Sequence, residues 1–547
     1  MAGSRARVTR AFAAITVLAI VAAACGGQQG QRGEEGAKVL SLQINEPEHL
    51  FPTNSNESEG NTVLDTLFTG LIRYDPRTSE PSNAMAESIE TTDNVHYRIK
   101  LKPGWAFHNG EPVTASSFVD AWNYGAFGPN AQQNSSFFSD IVGFKEVNPT
   151  DPDDEGPAPA PAPAATTLSG LRVVDDLTFE VTLSEPFSQW PLKLGYIPFS
   201  PLPKAAFQDP QGFEQSPIGN GPFMLDGVWE HNVAVRTKAY PDYQGPDKPK
   251  IEGIEFRIYA DLNTAYNDVV AGNLDITEPV PPERLAEAQQ AFGERFGESP
   301  TSAYNYLGFP LYLPPFNKKE LRQALSLAVD RETLVKTIFS GTRLAAHSFM
   351  APTIPGYREN ACAETTKFDP QRARQLLQQA GGWQGPMTVW FNTGGGHETW
   401  VEAVANMWRE HLGITDIRFE QLQFAQYLPK ADAKGMTGPF RLGWSMDYPS
   451  PQNFLEPLYS TKGLPPGGSN STFYSNPQFD RLIEEGNRQK TLQESIPFYQ
   501  RAEDILCEDL PSAPMHYRKN QWIHSERIEN LYFDAFGHIN HDEVELK

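Results

Sequence analysis

Helices and strands alternate in the C-terminal half of the chain, and this alternation restricts the possible folds more than any other feature. Asp369 is a candidate N-cap, Pro370 occupies a favourable first helical position, and Gly381 follows the last predicted turn. Asn476-Pro477 marks the start of a second helix in the same way. Residues 387–392 and 417–422 are β-type runs between these helices. The pattern predicts an α/β fold.

The N-terminal half contains more strands than helices. Alternating or β-branched runs predict strands at residues 38–43 and 97–101, and a hairpin formed by residues 171–174 and 178–183. Helical spacing of apolar residues predicts helices over residues 63–71 and over residues 118–124, the second entered through Thr114.

Residues 151–165 (DPDDEGPAPAPAPAA) contain five prolines and few side chains that could enter a core. The hairpin strands resume directly after them. We therefore expect an extended surface insertion within one domain instead of a domain boundary.

The first residues resemble an export signal. Three arginines precede an apolar run over residues 11–24, which is too short to cross a bilayer of about 30 Å as a helix. Three alanines stand before Cys25, as in a bacterial lipobox, so we expect residues 1–24 to be removed and Cys25 to be acylated; an ordinary cleaved signal is the alternative. Residues 25–37 then form a flexible tether anchored by this lipid.

Charge and cysteine count narrow the class of protein further. The 547 residues carry a formal charge of −23, which argues against nucleic acid and anionic membrane surfaces as partners. Besides Cys25, only Cys362 and Cys507 are present, and an exported protein can keep them bridged. Two separate buried thiols are the alternative.

Motifs of common hydrolases and nucleotide-binding enzymes are missing from the sequence. It has no G-x-S-x-G, no C-x-x-C and no phosphate-binding G-x-x-x-x-G-K. His397 and Glu398 begin like a zinc H-E-x-x-H motif, but Val401 occupies the second ligand position. His108 precedes Asn109-Gly110, a pair typical of a turn, so we interpret His108 as structural. We expect no catalytic residue, no metal and no cofactor; a secreted hydrolase is a distant alternative.

Several blocks in the same order resemble the extracellular solute-binding proteins of family 5, the oligopeptide and dipeptide receptors of ATP-driven (ABC) importers. The most specific block spans residues 97–122 (YRIKLKPGWAFHNGEPVTASSFVDAW). Four further blocks are family-like: residues 219–225 (GNGPFML), 315–334 (PFNKKELRQALSLAVDRETL), 368–381 (FDPQRARQLLQQAG) and 441–455 (RLGWSMDYPSPQNFL).

This resemblance implies a two-lobed periplasmic-binding-protein fold of type II, like cluster C, with an extra third domain and a hinged ligand cleft. The implied core domain of lobe 1 comprises residues 38–73, 202–303 and 515–547. The extra domain of lobe 1 comprises residues 74–201, and lobe 2 is the continuous stretch 304–514.

The resemblance also implies how a peptide is held. The family places an aspartate in a G-W-x-x-D-Y motif on the ligand's ammonium group, and here that aspartate is Asp447. Its oligopeptide branch places a histidine and an arginine, here His397 and Arg441, on the ligand's carboxylate. Read without the family, Asp447 could be a surface acid at a turn, and the other two could be structural.

Main-chain contacts are expected from Gly443, Trp444 and Ser445, although Trp444 could equally be a core aromatic. By position in the family, Asn56 and Ser58 belong to a facing strand segment.

The implied protein is a monomer that captures short peptides and delivers them to the permease subunits of an ABC importer at the outer face of the cell membrane. Fold does not fix cargo, and a nickel chelate, haem, a sugar or a signalling peptide remains the alternative.

Overall fold

The structure is a computed structural model that describes residues 38–149, 161–246, 248–393, 396–465 and 468–547. The predicted signal peptide, the tether with Cys25 and residues 151–160 of the insertion lie outside the described residues. Across these ranges, no helix is both long enough and apolar enough to cross a lipid bilayer.

The helices are mostly short, and the longer ones lie in the second half of the chain. They are α1 (Ser58–Leu67), α2 (Ala115–Ala126), α3 (Phe144–Val147), α4 (Trp190–Lys193), α5 (Lys204–Gln208), α6 (Pro210–Gln215), α7 (Leu262–Ala271), α8 (Leu285–Phe292), α9 (Lys319–Leu327), α10 (Arg331–Thr337), α11 (Ala363–Thr366), α12 (Pro370–Gln379), α13 (Glu398–Leu412), α14 (Phe424–Asp432), α15 (Gln452–Tyr459), α16 (Pro477–Asn487) and α17 (Leu492–Asp509).

The strands range from two to thirteen residues. They are β1 (Val39–Ile44), β2 (Ile72–Tyr74), β3 (Pro81–Asn83), β4 (Ala86–Thr91), β5 (His96–Leu101), β6 (Leu171–Asp175), β7 (Thr178–Thr182), β8 (Phe223–Leu225), β9 (Ala234–Ala239), β10 (Gly253–Ile258), β11 (Ile276–Thr277), β12 (Phe296–Gly308), β13 (Arg343–Ala345), β14 (Met387–Asn392), β15 (Ile417–Leu422), β16 (Phe440–Trp444), β17 (Ser512–His524), β18 (Ile528–Glu529) and β19 (Glu545–Leu546).

A mixed sheet of eleven strands runs through the molecule in the order β15-β14-β16-β12-β17-β11-β1-β10-β9-β8, with β13 paired to β17. The two 13-residue strands β12 and β17 are antiparallel neighbours at its centre. The C-terminal part of β12 pairs with β16, and the C-terminal end of β17 pairs with β11. The β12–β17 ribbon therefore joins the sheet half that contains β1 to the half that contains β14, which is the two-lobed α/β fold.

A smaller antiparallel sheet in the order β4-β5-β7-β6 lies apart from the large one. Helix α2 covers it through Trp122, whose ring lies 5.5 Å from Phe179 and 5.4 Å from Phe199 between centroids. Aromatic pairs of this geometry add to the stability that burial provides. This sheet has its own aromatic packing within the core cluster of the N-terminal half.

The sequence-based elements agree closely with the structure where capping residues or alternation defined them. The strands expected at residues 387–392 and 417–422 are confirmed without a shift as β14 and β15. Asp369 caps α12 by accepting a hydrogen bond from the Arg372 N–H at 2.9 Å, and Asn476 caps α16. The hairpin is confirmed as β6 and β7.

The helix predicted over residues 63–71 is wrong at both ends, because α1 begins at Ser58 and ends at Leu67. The carboxylate of Glu57 caps it by accepting from the N–H groups of Glu59 (2.7 Å) and Gly60 (2.8 Å). Past Leu67 the backbone is extended, since Asn220 binds both the N–H and the carbonyl of Thr69. These contacts come from residues that apolar periodicity does not register.

His108 has the structural role expected from its turn. Its Nδ1 accepts from the Gly219 N–H at 3.1 Å, and its Nε2 lies 3.2 Å from the Gly221 carbonyl oxygen. Burial lowers the pKa of His108 to about 4, so the ring is neutral. Gly110 has φ +83°, as the turn requires.

Cys362 and Cys507 form a disulfide with a Cα–Cα distance of 4.8 Å. Cys362 precedes α11, and Cys507 lies in the last turns of α17. The Thr365 hydroxyl strengthens the same junction by donating to the Cys507 carbonyl oxygen at 2.9 Å. The bridge therefore ties the segment after β13 to the last helix before β17.

Candidate functional site

A cavity of about 1070 Å³ opens beside the β12–β17 ribbon. Its walls come from distant parts of the chain: residues 56–62, 195–197, 301–303, 445–447 and 533–543. The volume is at the upper end of the range for small-molecule sites. Because the lining residues belong to both halves of the large sheet, a ligand here would contact both.

A register shift in the ribbon shapes the floor of this cavity. Pro300 pairs with Lys519 and Tyr304 with Tyr517, so residues 301–303 bulge out of the ladder opposite Arg518. The Thr301 hydroxyl donates to the Arg518 carbonyl oxygen at 3.0 Å, and the Ser302 hydroxyl accepts from the Met446 N–H at 3.2 Å. The bulge thus fixes the segment that carries Asp447.

Asp447 lies at the wall of the cavity, and Asn453 holds it in place. The Asp447 N–H donates to Asn453 Oδ1 at 2.9 Å, and Asn453 Nδ2 donates to Asp447 Oδ2 at 2.8 Å. Burial raises the pKa of Asp447 to about 6, against the opposing effects of the Asn453 hydrogen bond and of Lys193. The carboxylate is therefore ionised at neutral pH but poorly compensated.

Lys193 is the cation that acts on Asp447, yet it is bound to other groups. Its ammonium pairs with the Asp140 carboxylate and lies 5.4 Å from the ring centroid of Phe187 and 5.5 Å from that of Tyr448. In the described parts of the chain, no cation forms an ion pair with Asp447. A ligand cation would supply the missing partner.

Asn56 and Ser58 border the same cavity with exposed side chains. The expectation of a strand segment here is wrong, because Asn56 lies in a loop and Ser58 begins α1. Glu57 lies between them, and burial raises its pKa to about 7 against the N–H groups that it caps. The loop can offer free main-chain and side-chain groups, but not a ladder of strand pairs.

Of the G-W-x-x-D-Y motif, Ser445 and Asp447 reach the cavity, whereas Gly443 and Trp444 do not border it. Trp444 packs against the core of the C-terminal half, and its Nε1 donates to Asn453 Oδ1 at 3.4 Å. A Cβ at Gly443 would lie only 3.1 Å from Arg441 Nη2 and from the Tyr304 carbonyl oxygen. In this structure Trp444 therefore contacts Asn453, and the missing side chain of Gly443 leaves room for Arg441 and the Tyr304 carbonyl oxygen.

Arg441 and His397 lie near each other but do not border the large cavity. Arg441 donates through Nη1 to Asn392 Oδ1 at 3.1 Å and through Nη2 to Asn305 Oδ1 at 2.6 Å. Burial lowers its pKa to about 10, which leaves it positively charged at neutral pH. Burial and the charge of Arg441 hold the pKa of His397 at about 3, so its imidazole is neutral.

Two tyrosines of the cavity wall were not expected from the sequence. Burial raises the pKa of both Tyr74 and Tyr196, and the charge of Asp447 raises each further, which places both phenols within its electrostatic reach. They belong to a strand end and a short turn that carry no motif, so only tertiary structure could identify them. Over the described ranges, no group of three His, Cys, Asp or Glu side chains could hold a metal ion.

Comparison with known proteins agrees with this architecture. The oligopeptide-binding protein OppA of Bacillus subtilis strain 168 is 25% identical over 523 residues, covering 92% of each chain. The glutathione-binding protein GsiB of Escherichia coli K12 is 25% identical over 516 residues, covering 91% of this chain and 92% of GsiB.

Among solved structures, the unliganded open form of the periplasmic murein tripeptide-binding protein MppA superposes with a TM-score of 0.77 at 21% identity, covering 93% of this chain and 98% of MppA. HbpA2 from Haemophilus parasuis gives 0.78 at 20% identity, covering 93% of this chain and 99% of that one. These structures share the type II periplasmic-binding-protein fold.

Residues 80–465 match the family described as bacterial extracellular solute-binding proteins, family 5 Middle. That span is well over half of the 547 residues and includes Asp447, Arg441 and His397. The chain belongs to the bacterial extracellular solute-binding proteins of family 5.

Proposed function

We propose that this chain is the solute-binding component of an ABC importer and that it captures short peptides between its lobes. The observation that carries the proposal is the Asp447 carboxylate, which lines a cavity large enough for a peptide and forms no ion pair within the described residues. Two curated relatives are named for peptide ligands, an oligopeptide and glutathione. A peptide of any sequence brings the ammonium group that this carboxylate lacks.

The opposite charge of a peptide would be held by Arg441 and His397. The guanidinium of Arg441 makes one hydrogen bond through each terminal nitrogen, and among the described residues its buried Nε has no acceptor. A carboxylate is the anion that matches this planar fork. His397 adds one more polar ring atom next to it.

Main-chain groups near the cavity would meet the peptide backbone. Asn56, Ser58 and Ser445 border the cavity directly. Gly443 and Trp444 are the last two residues of β16, directly before Ser445. Recognition through termini and backbone leaves the side chains of the peptide unspecified.

The family is extracellular, and we propose that export ends in membrane anchoring. Cleavage before Cys25, acylation of its thiol and the tether of residues 25–37 would hold a monomer next to its permease. Mass spectrometry of the membrane fraction should find a di- or triacylated Cys25 as the first residue. A soluble mature form in wild-type cells would contradict the anchor.

We also propose the domain limits given above, with lobe 2 at residues 304–514, and a purely binding role without catalysis. The sheet topology supports these limits, because β12 and β17 are the segments shared by the two halves.

Calorimetry with a tripeptide and its N-acetylated form tests the proposed function. Asp447→Ala should weaken binding by about 2–5 kcal/mol, or roughly 30-fold to several thousand-fold in Kd, because the ligand ammonium would stay buried without a partner. N-acetylation removes the same pair, so the two changes should be strongly non-additive. The matched control is Asp416→Ala, which changes an exposed aspartate directly before β15.

Equal affinity of wild type and Asp447→Ala would show that another group holds the ligand's N-terminus. Failure to bind any free peptide, with a folded circular-dichroism spectrum, would favour another cargo.

A further inference from the structure

A second group of charged residues lies on the large sheet, away from Asp447. We name it the arginine–histidine cluster, and it consists of Arg343, His397, Arg441 and His516. Strand register places its members: Asn305 of β12 is opposite both His516 of β17 and Gly443 of β16. Directly opposite side chains share a face, and Arg441 follows that face two residues before Gly443.

Arg343 reaches the same face from the short strand β13. Ala345 is opposite His516, and Arg343 is two residues away on the same side of the strand. The Phe339 ring joins the two, with its centroid 4.6 Å from the His516 ring and 5.4 Å from the Arg343 guanidinium carbon.

Trp400 contacts both histidines of the cluster. Its ring lies 5.4 Å from His516 and 6.3 Å from His397, and its Nε1 donates to His397 Nδ1 at 3.3 Å. Each imidazole is within electrostatic range of both arginines.

Several buried polar atoms of this cluster have no hydrogen-bond partner among the described residues. His516 is 3% exposed, and within the described residues neither of its ring nitrogens has a hydrogen-bond partner. Arg343 donates to its neighbouring Thr342 carbonyl oxygen at 2.9 Å, and the buried Nε of Arg441 finds no acceptor in the parts of the chain that the structure describes. Such groups are costly to bury unless a ligand satisfies them.

Protein carboxylates do not neutralise the two arginines. The chain carries 68 acidic residues against 45 lysines and arginines, yet within the described ranges neither Arg343 nor Arg441 forms an ion pair. The charge of Glu278 acts on Arg343, and it acts on Arg518 as well. Burial, with the two arginine charges, lowers the pKa of both His397 and His516, so two positive charges remain.

We propose that the arginine–histidine cluster selects peptides whose C-terminal residue is acidic. Arg441 and His397 hold the terminal α-carboxylate, which is the part that rests on the proposed function. Arg343 and His516 hold the carboxylate of the last side chain. One carboxylate would leave one guanidinium uncompensated, whereas a C-terminal glutamate or aspartate supplies both anions. Arg343 is then the specificity-determining residue.

Calorimetry with Ala-Ala-Glu and Ala-Ala-Gln, which differ in one charge at nearly equal shape, tests the proposal. Wild-type protein should bind Ala-Ala-Glu at least about 10-fold more tightly. Arg343→Gln should abolish this preference and leave the affinity for Ala-Ala-Gln within about twofold. Arg343→Lys keeps the charge and should retain part of the preference, and Arg418→Gln, exposed on β15, should change neither Kd.

Equal binding of the two peptides by wild-type protein would overturn the proposal while leaving peptide capture intact. So would an unchanged preference in folded Arg343→Gln. If Arg343→Gln does not fold, the wild-type and Arg343→Lys comparisons decide instead. Absence of binding to either peptide would overturn the proposed function, and this inference with it.

Discussion

At the scale of single residues, the site divides into positions that a motif identifies and positions that only the tertiary structure assembles. Asp447 could be predicted because it belongs to a motif with fixed spacing. Arg343 and His516 could not, because the pairing of β13 with β17 brings together residues far apart in the chain. Nor does the sequence reveal that Gly443 and Trp444 do not border the cavity, since the position of β16 depends on its register with β12.

The raised pKa of Asp447 makes peptide capture dependent on pH. The empty carboxylate titrates near pH 6, and only its ionised form pairs with an ammonium. Between pH 7.5 and pH 5, Kd for a free tripeptide should rise, approaching tenfold per pH unit below pH 6. Calorimetry at several pH values measures this, and the N-acetylated peptide should not follow the same curve.

The raised pKa of Asp447 also makes the free energy of unfolding depend on pH, in the opposite direction to peptide binding. Because the folded-state pKa lies above the ordinary value of 3.8, the stability from this group is fully present below that value and is lost as pH rises through about 6. Asp447→Asn should therefore raise the Tm of the unliganded protein at pH 7.5 while it weakens peptide binding. A fall in Tm would contradict the assignment of Asp447 as an uncompensated carboxylate.

At the scale of elements, local chemistry fixes the structure wherever a cap or a clean alternation is present. Strands β14 and β15 and helix α12 could be predicted to within a residue, because burial and capping act through neighbours in sequence. Helix α1 could not, since the carboxylate of Glu57 starts it and the distant side chain of Asn220 extends the chain after it.

The N-cap of α12 provides a direct test of this view. Asp369→Ala removes the acceptor for the Arg372 N–H and should lower the free energy of unfolding by about 1 kcal/mol. Asp369→Asn keeps an acceptor oxygen and should lose only a few tenths of that. Chemical denaturation followed by circular dichroism compares the two, and an equal loss in both would mean that the charge, not the hydrogen bond, matters.

At the scale of the whole molecule, a covalent link between residues far apart in the chain stabilises the fold. The Cys362–Cys507 bridge spans 145 residues, and the chain-entropy account assigns a loop of that length roughly 4–5 kcal/mol. Cys362→Ser combined with Cys507→Ser should therefore lower the Tm markedly. The protein that remains folded should still bind a tripeptide through Asp447. Differential scanning calorimetry with and without reductant measures the effect. A wild-type Tm that does not respond to reductant would contradict a stabilising bridge.

The β12–β17 ribbon has a further consequence for kinetics. Two hydrogen-bonded strands that cross together resist shear and independent sliding, so we expect bending and twisting at the 301–303 bulge to contribute most to the relative motion of the two halves. A single distance between two dye labels, one on each half, should then report the whole opening coordinate. Ligand residence time would be governed by how often that one coordinate fluctuates outward.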